Sequence, residues 1–229
     1  MRHLKVLGVA LVAIFALGIT ATSAFATLTL PDVHILEGEK YPLHLNFADN
    51  GKTPVVFHST GGGILEGKGL SILTLTNDLS ALGLFSMTFL NFSIAGQNCN
   101  TAGDAAGEIL ASGEFHILPI KLKPLEIGIA LLVTEVTIKC GATTLHLKGC
   151  LLSTAETANE LEVKAIKAKL EGDKKGKNTL TKYFNDEGKE VECKLLLDIG
   201  TGFKQSSVEV GETVLLEALE KKMFTILNT

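Results

Sequence analysis

Strict alternation constrains this chain most. From Glu190 to Ile199, every second residue belongs to the set Val191, Cys193, Leu195, Leu197 and Ile199, with Glu190, Glu192, Lys194, Leu196 and Asp198 between them. Side chains alternate across a strand, so this period predicts a strand with one buried face. Leu145 and Leu147 repeat the pattern against Thr144, His146 and Lys148. Leu84–Ile94 and Ile127–Ile138 are apolar on both faces, as a strand inside a packed core would be. Turn formers separate these runs at Gly61–Gly63, Asn98–Gly103, Pro119–Pro124, Gly172–Lys177, Asn185–Gly188 and Gly200–Gly202. Such punctuation predicts an all-β fold, an antiparallel sandwich or barrel of meandering hairpins with roughly ten to fourteen strands.

Ser153–Leu170 fits two patterns. Ala158, Leu161, Ala165 and Ala168 have helical spacing, while Glu160, Glu162, Lys167 and Lys169 alternate with apolar neighbours. We expect a strand with a bulge near Lys164–Ala165, with room for a short helix before it. Leu-Glu-Gly recurs at residues 36–38, 65–67 and 170–172, at unequal intervals, and reads as a strand ending in a glycine turn.

The first residues read as an export signal. Arg2, His3 and Lys5 precede an apolar run from Val6 to Ile19, and Ala24-Phe25-Ala26 supplies a small–any–small cleavage site. The run is shorter than the ~20 residues of a membrane-spanning helix. We therefore expect a signal helix in 1–26, cleavage after Ala26, and a β-rich extracellular domain over 27–229. That region reads either as one domain or as two packed halves with a break near 151–159. No later segment reads as a stable membrane anchor.

Hydrophobic residues make up 46% and charged residues 20%, which excludes wholesale disorder. Arg2 is the only arginine, and loss of Arg2 and Lys5 takes the formal charge from −4 to −6. An acidic chain without arginine is a poor nucleic-acid binder, because phosphate and guanine recognition lean on Arg and Lys. The chain has no Trp and only Tyr41 and Tyr183, so a sugar-stacking cleft is disfavoured. The same scarcity counts against the aromatic girdles of a membrane β-barrel.

Cys99, Cys140, Cys150 and Cys193 all follow the leader. An even count in an oxidising compartment predicts two disulfides. Folding 107–118 against 125–139 about Pro119–Pro124 brings Cys99 and Cys140 to one end of a hairpin. Cys150 then lies across strand 143–149, roughly 25 Å from Cys140, beyond bridging distance. We expect Cys99–Cys140 and Cys150–Cys193. No Cys-X-X-Cys pair exists and no histidine has ligand spacing to a cysteine, so zinc is not expected.

Motifs that resemble chemistry fail on inspection. Gly62–Lys68 follows phosphate-loop spacing, but Gly69 stands where a hydroxyl should hold magnesium, and strands flank it. No Gly-X-Ser-X-Gly elbow exists. His34, His44, His58, His116 and His146 each fall within an apparent strand, with no pair at metal-ligand spacing. Glu160/Glu162 and Glu190/Glu192 share strand faces instead of flanking a cleft, as a glycosidase requires. Asn98, Asn100, Asp104 and Glu108 offer oxygens, but their spacing departs from a calcium loop. Lys174, Lys175 and Lys177 read as a solvated hairpin tip, and Asn91-Phe92-Ser93 is a glycosylation triplet. No catalytic residue, cofactor or metal is expected.

Cys99-Asn100-Thr101-Ala102-Gly103-Asp104-Ala105-Ala106-Gly107-Glu108-Ile109-Leu110 resembles a segment of uncharacterised secreted proteins of soil actinobacteria. So do Gly113–His116, Cys140-Gly141-Ala142 and Tyr183–Lys189, and the likeness spans much of Cys99 to Gly211. The resemblance implies bacterial export and carries no activity or ligand. The expected function is therefore that of a secreted, non-catalytic protein with a structural or adhesive role outside the cell or in its envelope. A carrier of a small apolar ligand inside the β framework is the alternative, and a secreted hydrolase with a spatially assembled site the second.

Overall fold

The computed structural model describes residues 31–35, 43–48, 52–76, 81–156, 165–211, 213–218 and 224–227. The expected signal helix, with Ala24 and Ala26, lies outside them, as do Glu160 and Glu162. The described chain is all-β and antiparallel. Fourteen strands form one sheet that closes on itself. In spatial order they are β10 (Leu125–Cys140), β8 (Gln97–Thr101), β7 (Ser93–Ile94), β4 (Ile64–Lys68), β3 (Pro54–Ser59), β16 (Lys204–Val210) and β15 (Leu195–Asp198). Then come β11 (Thr143–Ala155), β12 (Ala165–Lys169), β17 (Val214–Ala218), β2 (Leu43–Ala48), β5 (Leu70–Thr76), β6 (Leu82–Phe89) and β9 (Ile109–Leu122), which returns to β10. Two small ribbons stand apart, β1 (Asp32–Ile35) with β18 (Phe224–Leu227), and β13 (Lys182–Phe184) with β14 (Glu190–Glu192).

The β10–β11 hairpin also pairs across this ring and divides it into two eight-stranded circuits that share the hairpin. A bulge makes the division. Val133 pairs with Gly149 and Val136 with Leu147, so Thr134 and Glu135 together oppose Lys148. Before the bulge β10 pairs with β9, and near its end Ile138–Cys140 pair with β8. The extra residue also flips which face turns inward. Ile127, Ile129, Leu131 and Val133 are buried before it; Ile138 and Cys140 are buried after it.

Both circuits contribute to one apolar core. Phe57 of β3, Phe89 of β6 and Phe92 meet edge to face, with ring centroids 5.0, 5.5 and 5.4 Å apart, and join the two halves. Apolar side chains fill the inside while ion pairs such as Lys148–Glu135, at 2.9 Å, stand outside. A membrane barrel has the reverse pattern. No helix among the described residues is long and apolar enough to cross a membrane.

A second, smaller core lies outside the sheet. Leu118, Ala130, Leu152, Cys150 and Cys193 pack there with Ile120, Leu132, Leu180 and Tyr183. The excursion carrying Leu180, Tyr183 and Cys193 covers the outer faces of β9, β10 and β11. This explains why the Ile127–Val133 stretch is apolar on both faces.

Several expectations need correction. Ser153–Leu170 is not one bulged strand. Ala155 pairs with Ala168 and Thr154 with Lys169, so the segment doubles back, and 157–164 lie outside the described residues. Alternation is identical in one strand and in the two arms of a hairpin. Leu151–Ala155, at the start of the alternative break near 151–159, continue β11, and 157–159 lie outside the described residues. The turn between β9 and β10 occupies only Lys123 and Pro124. Pro119 lies inside β9 opposite Ile127, beside a bulge that leaves Ile120 unmatched, a position where a missing N–H is tolerated. Val191–Ile199 is interrupted at Cys193–Lys194, where the Cys193 N–H donates to the Thr181 carbonyl and the Lys194 carbonyl accepts from Cys150.

Gly149 makes that last contact possible. Its φ is 108°, and an added Cβ would lie 2.2 Å from the Lys194 carbonyl oxygen. Gly149→Ala is expected to destabilise the protein by about 2–3 kcal/mol, from left-handed strain plus the displaced backbone. Chemical denaturation measures this; a loss under 0.5 kcal/mol, taken roughly as the floor for a neutral site, contradicts it.

Candidate functional site: an outward leucine face

Strands β5 and β6 form a hairpin whose inner face buries Leu70, Ile72, Phe85, Met87 and Phe89. Their outer face is also apolar, and among the described residues no segment is packed over it. Leu73, Leu75, Leu82 and Leu84 are 41, 37, 51 and 58% exposed. The expectation that Leu84–Ile94 is enclosed on both sides fails here. Unlike β10, β6 has no excursion among the described residues packed over Leu84.

Register arranges the face in rows. His44 of β2 pairs with Leu75, Leu75 with Leu84, and Leu84 with Glu114 of β9. The adjacent row toward the hairpin tip contains Leu82 and His116, and the row on the other side runs Asn46, Leu73, Ser86, Ser112. The His116 ring Nε2 lies 2.9 Å from the Glu114 carboxylate.

A cleft of about 280 Å³ opens beside Leu82. The β13–β14 ribbon forms its far wall with Tyr183, Phe184 and Asp186, and His116 and Leu118 form the near wall. Partial burial raises the Tyr183 phenol pKa above its ordinary value. The cleft and the leucine face therefore make one continuous surface.

Residues singled out from sequence mostly have structural roles. The bridges are Cys99–Cys140, with Cα atoms 4.1 Å apart, and Cys150–Cys193, at 5.0 Å. Cys99 lies in its own strand directly opposite Cys140, and Ile138 faces Thr101 instead of the Gly107 neighbourhood. Gly61–Gly63 form the β3–β4 turn, closed by the Ser59 N–H donating to the Gly63 carbonyl. Within Asn98–Glu108, the side chains of Asn100, Thr101 and Asp104 are engaged inside the loop. Thr101 Oγ1 bonds the Asp104 carboxylate, and the Asn100 amide donates to the carbonyls of Thr101 and Asp104. No cluster of three or more potential metal ligands occurs among the described residues.

Glu190 and Glu192 are held by Lys182 and Lys194 on an exposed ribbon. The Lys194 hydrogen bond lowers the Glu192 pKa, the opposite of what a general acid needs. Ser206 Oγ donates to the His58 carbonyl and Ser207 Oγ to the Asp173 carbonyl, so neither hydroxyl is aimed at a base.

Fold and surface together define a class: among the described residues, an all-β, disulfide-bridged protein built on a closed antiparallel sheet with an apolar interior and exposed leucines on the outer face of β5 and β6. No protein-family model matches the chain, and the searches of curated proteins and of solved structures return no match to it.

Proposed function

We propose that the chain is an exported, non-catalytic protein with a structural or adhesive role in the envelope or its surroundings, acting through the leucine face. The face carries this reading. Scattered surface leucines are ordinary, but a contiguous apolar patch rimmed by polar groups is a contact surface. Two disulfides suit an oxidising compartment. The resemblance of segments between Cys99 and Gly211 to uncharacterised secreted actinobacterial proteins supports bacterial export. The enclosed positions carry large side chains such as Phe89, Phe92 and Phe115, each 0% exposed, which favours a surface role over carriage of a ligand inside.

The test is retention. The protein, expressed with its leader in an actinobacterial host, is expected to stay with the envelope or extracellular matrix. The Leu75→Lys/Leu84→Lys variant is expected to appear in the medium, with an unchanged melting temperature. Equal retention of the two proteins would contradict the proposal.

A further inference from the structure

Three turns from distant parts of the chain bring four lysines together. Asp173–Lys177 form a turn carrying Lys174, Lys175 and Lys177, and a bridge from Gly172 to Asn178 closes it. Three lysines at such a tip are ordinarily solvating charge. This tip is fastened to the sheet. Ser207 Oγ donates to the Asp173 carbonyl at 2.9 Å, and the buried Asn178 side chain accepts from the Val208 N–H. Gly176 is buried at φ 78°, where an added Cβ would lie 2.6 Å from the Thr60 nitrogen. The tip therefore seats on the β3–β4 turn. Lys204, the first residue of β16, meets that same turn: its Cγ lies 3.4 Å from where a Cβ on Gly61 would stand.

Charge at this place is one-sided. Lys174, Lys175, Lys177 and Lys204 are all exposed, and among the described residues none forms a salt bridge. The acids of these turns serve the backbone. Asp173 Oδ1 accepts from the amides of Lys175 and Lys177, and Asp198 Oδ1 from those of Gly200 and Gly202. Other lysines of this acidic chain stand against carboxylates, as in Lys121–Glu126, Lys182–Glu190 and Lys194–Glu192.

We infer that this lysine cluster binds a linear polyanion, with phosphate or carboxylate groups spaced along a flexible chain. It is a second surface and does not depend on the leucine face. Four point charges spread over separate turns suit several anionic groups at once. Without an arginine fork the cluster responds to charge and not to the shape of one group. Thr60, Gly62, Thr201 and Gly202, exposed at the turn tips, offer no apolar side chain for insertion into a bilayer, which favours a polymer over a lipid surface.

Calorimetric titration of the exported, bridged protein with long-chain polyphosphate and, separately, with polyglutamate tests the inference. Binding is expected, with log K falling against log salt at a slope of about −3, since each of four lysines contributes roughly 0.7. Affinity then drops about fifty-fold between about 50 and 200 mM salt. Lys174→Gln/Lys175→Gln is expected to halve the slope and to weaken binding about ten-fold at the lower salt. Lys123→Glu, outside the three turns, changes net charge equally and is expected to leave affinity within about two-fold, because distant exposed charges are screened. Melting temperatures report whether each variant stays folded. Binding of one polymer alone supports the inference and names the anionic group. Absence of binding to both polymers, or equal weakening by Lys123→Glu, overturns it. Binding to vesicles of equimolar phosphatidylglycerol and phosphatidylcholine, with none to the polymers, also overturns it and assigns the cluster to a lipid surface.

Discussion

Replacing Cys99 and Cys140 together by serine is expected to lower the unfolding free energy by about 4 kcal/mol. The bridge spans 41 residues of sequence, and in the chain-entropy model a loop of that size is worth about this much. Its location sharpens the effect. Only three residue pairs join β10 to β8, two join β8 to β7, and one joins β7 to β4. This is the thinnest stretch of the circuit it belongs to, and the disulfide spans its first seam. Beyond the global loss, amides of β8, and those of Ile138–Cys140 that face it, are expected to exchange faster than those of Gly128–Val133, which pair with β9 on one side and β11 on the other. Denaturant titration with native-state hydrogen exchange checks both. A loss under 1 kcal/mol, well below the usual range of roughly 2–5, would contradict this assignment of the bridge.

Phe89→Ala is expected to cost about 3–5 kcal/mol. Phe89 is fully buried and contacts the rings of both Phe57 and Phe92, so its loss opens a cavity where the two circuits meet. Five residues earlier on the same strand, Leu84→Ala is expected to change stability by no more than about 0.5 kcal/mol, because Leu84 faces out. Comparable losses at the two sites would show that the outer face is covered in solution, which would undermine the contact surface proposed for it.

The legible parts of the fold were those written in local alternation. Leu145 and Leu147 are buried as expected, as are Cys193, Leu195 and Leu197. The disulfide pairing was also legible, although one step toward it fails. Gly107 does not reach Ile138, because β10 exchanges β9 for β8 after the bulge. Cys140 meets Cys99 by direct strand pairing. Closure of the sheet was not legible, since β2–β17 and β3–β16 unite residues far apart in sequence, and no local pattern encodes such partners. The leucine face was hidden for a different reason. Apolar residues on both faces of a strand look the same whether the second face meets a covering segment, as in β10, or meets solvent, as in β6. Only tertiary structure separates the two.

Export and the two disulfides underlie the proposed role most directly. Mass spectrometry of the protein secreted by an actinobacterial host, denatured and unreduced, followed by a peptide map, measures this. The expected mass begins at Thr27 and lacks four hydrogens, with Cys99 linked to Cys140 and Cys150 to Cys193. Free thiols, or a Cys140–Cys150 link, would contradict the fold described here, and an intact leader would contradict export.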